Sequence, residues 1–144
     1  MIRTSNINEA KKMVQSSRER PIIIEAQSTE FNRKILEHGN FDVLFSIEAN
    51  TKKDSPKYLD SGLNHVIARI AAKNKVAIGV DLGDIQKLER KEKAKRLARI
   101  KQNIKVCRKA KCKISVINCK DKRDAFALLI SLGASTKQAK EAVD

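Results

Sequence analysis

Four short apolar runs recur along this chain, beginning near residues 22, 42, 76 and 114. They are Ile22-Ile-Ile-Glu25, Asp42-Val-Leu-Phe-Ser-Ile47, Val76-Ala-Ile-Gly-Val80 and Ile114-Ser-Val-Ile117. Each is short, rich in β-branched residues and bounded by turn formers, the pattern of strands buried on both faces. Between them lie segments with apolar residues at helical spacing. Strands that alternate with amphipathic helices specify parallel β/α units, so the predicted class is α/β. The length, 144 residues, suits one domain spanning 1–144.

The helices can be bounded from their ends. A first helix is predicted over 8–18, with Ala10, Met13 and Val14 inward, and Pro21 stops it. Ser28 caps a helix over 29–38, Glu30 sits in its first turn and Gly39 follows its end. A polar loop runs from Glu48 to Gly62. Asn64 or Ser61 then caps a helix to Asn74, with Val66, Ile67, Ile70 and Ala71 on its apolar side. A long basic helix covers roughly 88–112, Asp121 opens another to Leu132, and Ser135-Thr-Lys-Gln138 is a capping box for a last short helix.

Charge is concentrated in one quarter of the chain. Of 31 Lys+Arg and 17 Asp+Glu in all, residues 87–123 hold 16 and 3. A block of that sign repels itself until a polyanion neutralises it. No apolar run approaches the ~20 residues of a membrane span, and nucleic acid or an anionic membrane surface are the physical candidates for that polyanion. Only one Tyr and four Phe occur, and Phe41 and Phe45 fall at core positions. Readers of unpaired bases offer several stacking rings. A chain this poor in them is expected to grip phosphates and overall shape.

Two cationic groups stand out. In the long helix, Leu97, Ile100, Ile104 and Cys107 fall within about 80° and form the buried stripe. Lys91, Lys95, Arg99, Lys105 and Lys109 cluster around the other side, with almost no acidic partner after Glu92. A solubilising face normally mixes signs, so this one is read as phosphate-facing. The smaller group is His65, Arg69 and Lys73, one stripe at i, i+4 and i+8, with Lys52 and Lys53 in the loop before it.

An enzymatic alternative rests on Glu25, Glu48 and Asp81. All three fall at the C-terminal ends of predicted parallel strands, where β/α barrels build active sites. Three carboxylates there could hold a divalent cation, making the chain a metal-dependent phosphoesterase. Against this stand the few histidines, His38 and His65, and the supply of lysines to pair with the acids. Cys107, Cys112 and Cys119 lack the paired knuckle of a structural zinc site and read as reduced core thiols of a cytoplasmic protein. No signal peptide is expected, since Arg3 to Arg20 is polar throughout. Phosphate-loop, dinucleotide and nucleophile-elbow motifs are absent from the sequence.

The segment Gly62-Leu-Asn-His-Val-Ile-Ala-Arg-Ile-Ala-Ala-Lys-Asn-Lys-Val-Ala-Ile-Gly-Val80 resembles the archaeal ribonuclease P protein component 3 family. Leu129-Ile-Ser-Leu-Gly133, Gln138-Ala-Lys-Glu-Ala142, Ile23-Ile-Glu25 and Arg33 followed by Gly39 are similar to it as well, and the likeness spans roughly 21–143. The resemblance implies a TIM-barrel-like fold and no catalysis by the protein itself. It implies an RNA-binding subunit of ribonuclease P, which removes the 5′ leader from precursor tRNA through its catalytic RNA. The implied partners are ribonuclease P RNA, the component 2 protein and precursor tRNA, with no membrane. No cofactor is expected on the protein, and Mg²⁺ is expected with the RNA.

Carried over by position, the resemblance implies RNA contacts at Arg33, His65, Arg69 and Lys73, with Lys52 or Lys53 in the preceding loop. Lys122 and Arg123 occupy the place of a basic family loop whose proline is missing here. The chain starts inside what would be the family's second β/α unit. A short or N-terminally truncated member with an incomplete barrel is therefore expected, its open edge covered by component 2 or another copy. A third reading is a general scaffold for structured RNA.

Overall fold

The computed structural model describes residues 1–50, 54 and 59–144. Its elements follow the chain as α1 (Ile7–Ser16), β1 (Ile23–Glu25), α2 (Thr29–His38), β2 (Val43–Phe45), a 3-10 turn (Ile47–Ala49), α3 (His65–Lys73), β3 (Ala77–Asp81), α4 (Leu82–Gln86), α5 (Arg90–Ala110), β4 (Ile114–Ile117), α6 (Lys122–Ser131) and α7 (Thr136–Val143). The four strands pair in parallel in the order β1-β2-β3-β4. Consecutive parallel neighbours joined by helices are the winding of a barrel, and here the sheet stays open. The fold is α/β, an incomplete TIM-barrel-like sheet.

Local chemistry sets the helix ends. Ser28 Oγ accepts the Phe31 N–H at 3.1 Å, and Asn64 Oδ1 accepts that of Ile67 at 2.9 Å. Asp121 Oδ1 does the same for Arg123, and Ser135 with Gln138 forms the reciprocal capping box. The short α4 is not evident from periodicity. Asp81 creates it by accepting the Asp84 N–H at 3.0 Å directly after β3.

Register aligns Ile24, Leu44, Ile78 and Ile114 across the sheet. With a period of two, Ile22, Val76 and Val80 share that face. They join Phe31, Ile35, Ile67, Ala71, Ile100 and Ile104 from the helices in one core. On the other face Gly79 lets its neighbours close in, because a Cβ there would lie 2.6 Å from Val43 Cγ1. The outer edge of β1 carries one extra rung. Ile2 donates to Ile23 O and accepts from the Glu25 N–H.

Two apolar residues assigned inward from the sequence lie outward. Val66 is 54% exposed and Met13 39%. Each sits beside, rather than on, the narrow stripe its helix buries: Ile67, Ala68 and Ala71 in α3, Ala10 and Val14 in α1. No helix among the described residues is long and apolar enough to cross a membrane.

Candidate nucleic-acid interface

The α3 stripe is assembled as its spacing predicts. His65, Arg69 and Lys73 are all exposed, one helical turn apart, on the face opposite Ile67, Ala68 and Ala71. None of the three has a hydrogen-bond or ion-pair partner among the described residues. α3 packs between α2 and α5, so the helix that carries the stripe is a direct neighbour of the long basic helix.

On α5 the cationic face is turned relative to expectation. Arg90, Lys91, Lys101, Lys105, Arg108 and Lys109 are exposed, with Ala94 and Ala98 between them. From Lys91 to Lys109 the face runs about 27 Å at 1.5 Å per residue. Lys95 is half-buried, and Leu97, expected in the buried stripe, is only half-buried beside Ile100, Ile104 and Cys107. Arg90, Lys101 and Arg108 belong to the face and were not singled out by the sequence. The angle between the polar and apolar stripes could have indicated Lys101. Arg108 is also tied down, since it donates to Gly133 O and to Gln138 Oε1.

Arg99 is the clear correction. It is 1% exposed, not phosphate-facing. Its Nη1 donates to Glu48 O at 2.8 Å and Asn50 O at 3.0 Å, and its Nε and Nη2 reach the Asp54 carboxylate at 3.3 and 3.2 Å. The reason is the 3-10 turn after β2, which packs against α5. Its end presents buried carbonyls that need donors, and a guanidinium fork supplies several at once. Arg96 serves the same turn from three positions earlier. It donates to Glu48 Oε1 at 3.0 Å and Asp84 Oδ2 at 3.3 Å.

The other described cations expected at RNA lie on other helices. Arg33 is exposed on α2 but shared with Glu37, 3.1 Å away at i, i+4. Lys122 and Arg123 are exposed at the start of α6. Parallel β/α winding puts that end of α6 level with the starts of α3 and α5. Lys52 and Lys53 lie outside the described residues.

The three carboxylates of the enzymatic alternative are occupied within the fold. Glu48 is 1% exposed and paired with Arg96. Burial lifts its carboxyl above the usual range, with Arg96 opposing. Asp81 caps α4 and accepts from Asn118 Nδ2 at 3.1 Å. Glu25 faces Arg3 Nε at 3.6 Å. Among the described residues no group of three or more His, Cys, Asp or Glu side chains is placed to hold a metal ion. A cavity of about 530 Å³ does open at the ends of β1 and β2, lined by Glu25, Gln27, Ser28, Asn32 and Asp60. Among the described residues its charged lining groups are the acidic Glu25 and Asp60. All three cysteines are free thiols, Cys107 and Cys112 buried and Cys119 half-buried.

No protein-family model matches the chain. Curated relatives do. Ribonuclease P protein component 3 of Methanococcus vannielii is 34% identical over 110 residues, 75% of this chain and 45% of the relative. That of Methanococcus maripaludis strain C7 is 31% identical over 110 residues, 75% of this chain and 44% of the relative. That of Methanosarcina acetivorans is 31% identical over 108 residues, 74% and 41%. The chain thus spans less than half the length of these relatives. Among solved structures, a chain in the cryo-EM structure of archaeal ribonuclease P with mature tRNA superposes with a TM-score of 0.80 at 25% identity. The match covers 98% of this chain and 62% of that one.

Proposed function

Over three quarters of its length the chain is a homologue of ribonuclease P protein component 3, and from that relationship we propose that it is an RNA-binding subunit of ribonuclease P. The RNA cleaves the 5′ leader from precursor tRNA, and the protein lowers the cost of folding that RNA. Its outward lysines and arginines neutralise phosphates that would otherwise need Mg²⁺. Mg²⁺ belongs to the RNA in this reading, and no protein side chain is catalytic. The partners are ribonuclease P RNA, precursor tRNA and the component 2 protein. Its free thiols fit the cytoplasm.

The observation that carries the reading is the unpartnered His65–Arg69–Lys73 stripe, on the segment with the family resemblance and on a helix packed against α5. A row of exposed cations about 27 Å long matches a polyanion, and single-sign fields of this kind steer association. A general scaffold for structured RNA would use the same charges without preference. Binding to the cognate ribonuclease P RNA in excess unrelated structured RNA separates the two. Retained binding is expected, and complete competition would reduce the protein to the scaffold.

A further inference from the structure

The exposed face of α5 is not uniformly polar. Ala98, Lys101, Lys105 and Arg108 follow one another at i, i+3, i+7 and i+10, a straight stripe along the helix. Beside it opens a groove of about 370 Å³, whose lining includes Leu59 and Leu132. Among the described residues its lining is mostly apolar in exposed area and includes three cations, and no acidic side chain lines it. The volume lies within the range of about 300–1,000 Å³ common to small-ligand pockets.

An RNA strand fills such a groove poorly. Phosphates satisfy the cations and leave the apolar lining uncovered. Bases stack on aromatic rings or on free guanidinium planes. Among the described residues no ring lines the groove, and the Arg108 guanidinium is held by Gly133 O and Gln138 Oε1. A protein helix with aliphatic anchors on one face and carboxylates beside them satisfies both parts at once.

We propose that this groove docks an acidic amphipathic helix of a protein partner. The proposal rests on the ribonucleoprotein reading above only for the surface around the groove, and it divides that surface. Lys101 and Lys105 face protein, while Lys91, Lys109 and the His65–Arg69–Lys73 stripe face RNA.

Ala98 gives the test, because it is exposed and both Arg and Glu are strong helix formers there. The probe is a fluorescent 18-residue synthetic helix with leucines along one face and glutamates flanking them. The control peptide has the same composition with the leucines scattered around the helix. The full 144-residue chain should bind the patterned peptide at least about tenfold tighter than the control. Ala98→Arg and Ala98→Glu both fill the groove, so both should lose that preference. Ala98→Arg should at the same time hold structured RNA as tightly as the unchanged protein, or more tightly.

Equal binding of the two peptides would overturn the proposal. So would an Ala98→Arg protein whose RNA affinity falls along with its peptide affinity, which would put an RNA strand in the groove. Loss of all RNA binding by the unchanged protein would remove the ribonuclease P reading and leave the peptide comparison standing. Melting curves for both variants confirm that the fold is kept.

Discussion

Arg96 Nη2 lies 3.0 Å from Glu48 Oε1, with Arg96 7% and Glu48 1% exposed. The pair joins the long basic helix to the turn after β2. It converts two residues that would otherwise count toward phosphate binding, or toward a metal site, into a structural link. Removing one member of a buried pair strands the other charge, at a cost of about 3–5 kcal/mol. Glu48→Ala should therefore lower the urea midpoint strongly, with Asp84 holding the loss toward the lower end. Replacing both, as Glu48→Leu with Arg96→Met, should recover much of it. A double variant no more stable than Glu48→Ala would show that the link lies elsewhere.

Acid stability should carry two opposite contributions. Glu48 has a folded pKa above its ordinary 4.5, because burial disfavours its charge. The native state then holds its proton more tightly than the unfolded chain. This group therefore adds stability as pH falls through the folded value toward 4.5, and withdraws it as pH rises. Asp54 is held below its ordinary 3.8 by the hydrogen bond from Arg99. Its contribution is present above 3.8 and is lost as pH falls through the folded value. Urea titrations from pH 7 to 2 on Asp54→Asn and Glu48→Gln should flatten these two limbs separately. An Asp54→Asn curve parallel to that of the unchanged protein below 3.8 would contradict the Arg99 pairing.

The positions of the cations separate fold from binding. Lys91→Ala and Lys109→Ala sit on the solvent face and should change stability by no more than about 0.5 kcal/mol. Each should reduce the slope of log affinity against log salt by about 0.9 on duplex RNA, or about 0.7 on single strands. Arg99→Lys keeps the charge but loses the fork that holds Glu48 O, Asn50 O and Asp54. Several of those donors go unreplaced, at about 1–3 kcal/mol per stranded buried group. Arg99→Lys should lower stability while leaving the salt slope unchanged. A changed slope with intact stability would place Arg99 at the RNA.

Much of this arrangement was legible before any coordinates, for identifiable reasons. Ser28, Asn64, Asp121 and Ser135 announced their helices because a side-chain oxygen must meet an orphan N–H two or three residues on. The runs at 22, 42, 76 and 114 announced a parallel sheet because both of its faces are covered. Arg99 escaped because helical angle places a residue on a side but does not say what packs there. The turn after β2 packs on that side, and it is joined to α5 only through tertiary contact. The particular partners of Glu48 and Asp81 escaped for the same reason. Their places at strand ends are right, but Arg96 and Asn118, which occupy them, are 48 and 37 residues away. The exposure of His65, Arg69 and Lys73 on one face of α3 was legible because the three residues share one helix.

The most direct test of the account is cleavage of precursor tRNA by the cognate ribonuclease P RNA at limiting Mg²⁺, with this chain and component 2 added. The unchanged protein should raise the rate well above that of the RNA with component 2 alone. A protein carrying Arg69→Ala, Lys73→Ala and Lys91→Ala, folded to the same stability, should give back most of that gain. A rate that does not respond to the unchanged protein would contradict the account.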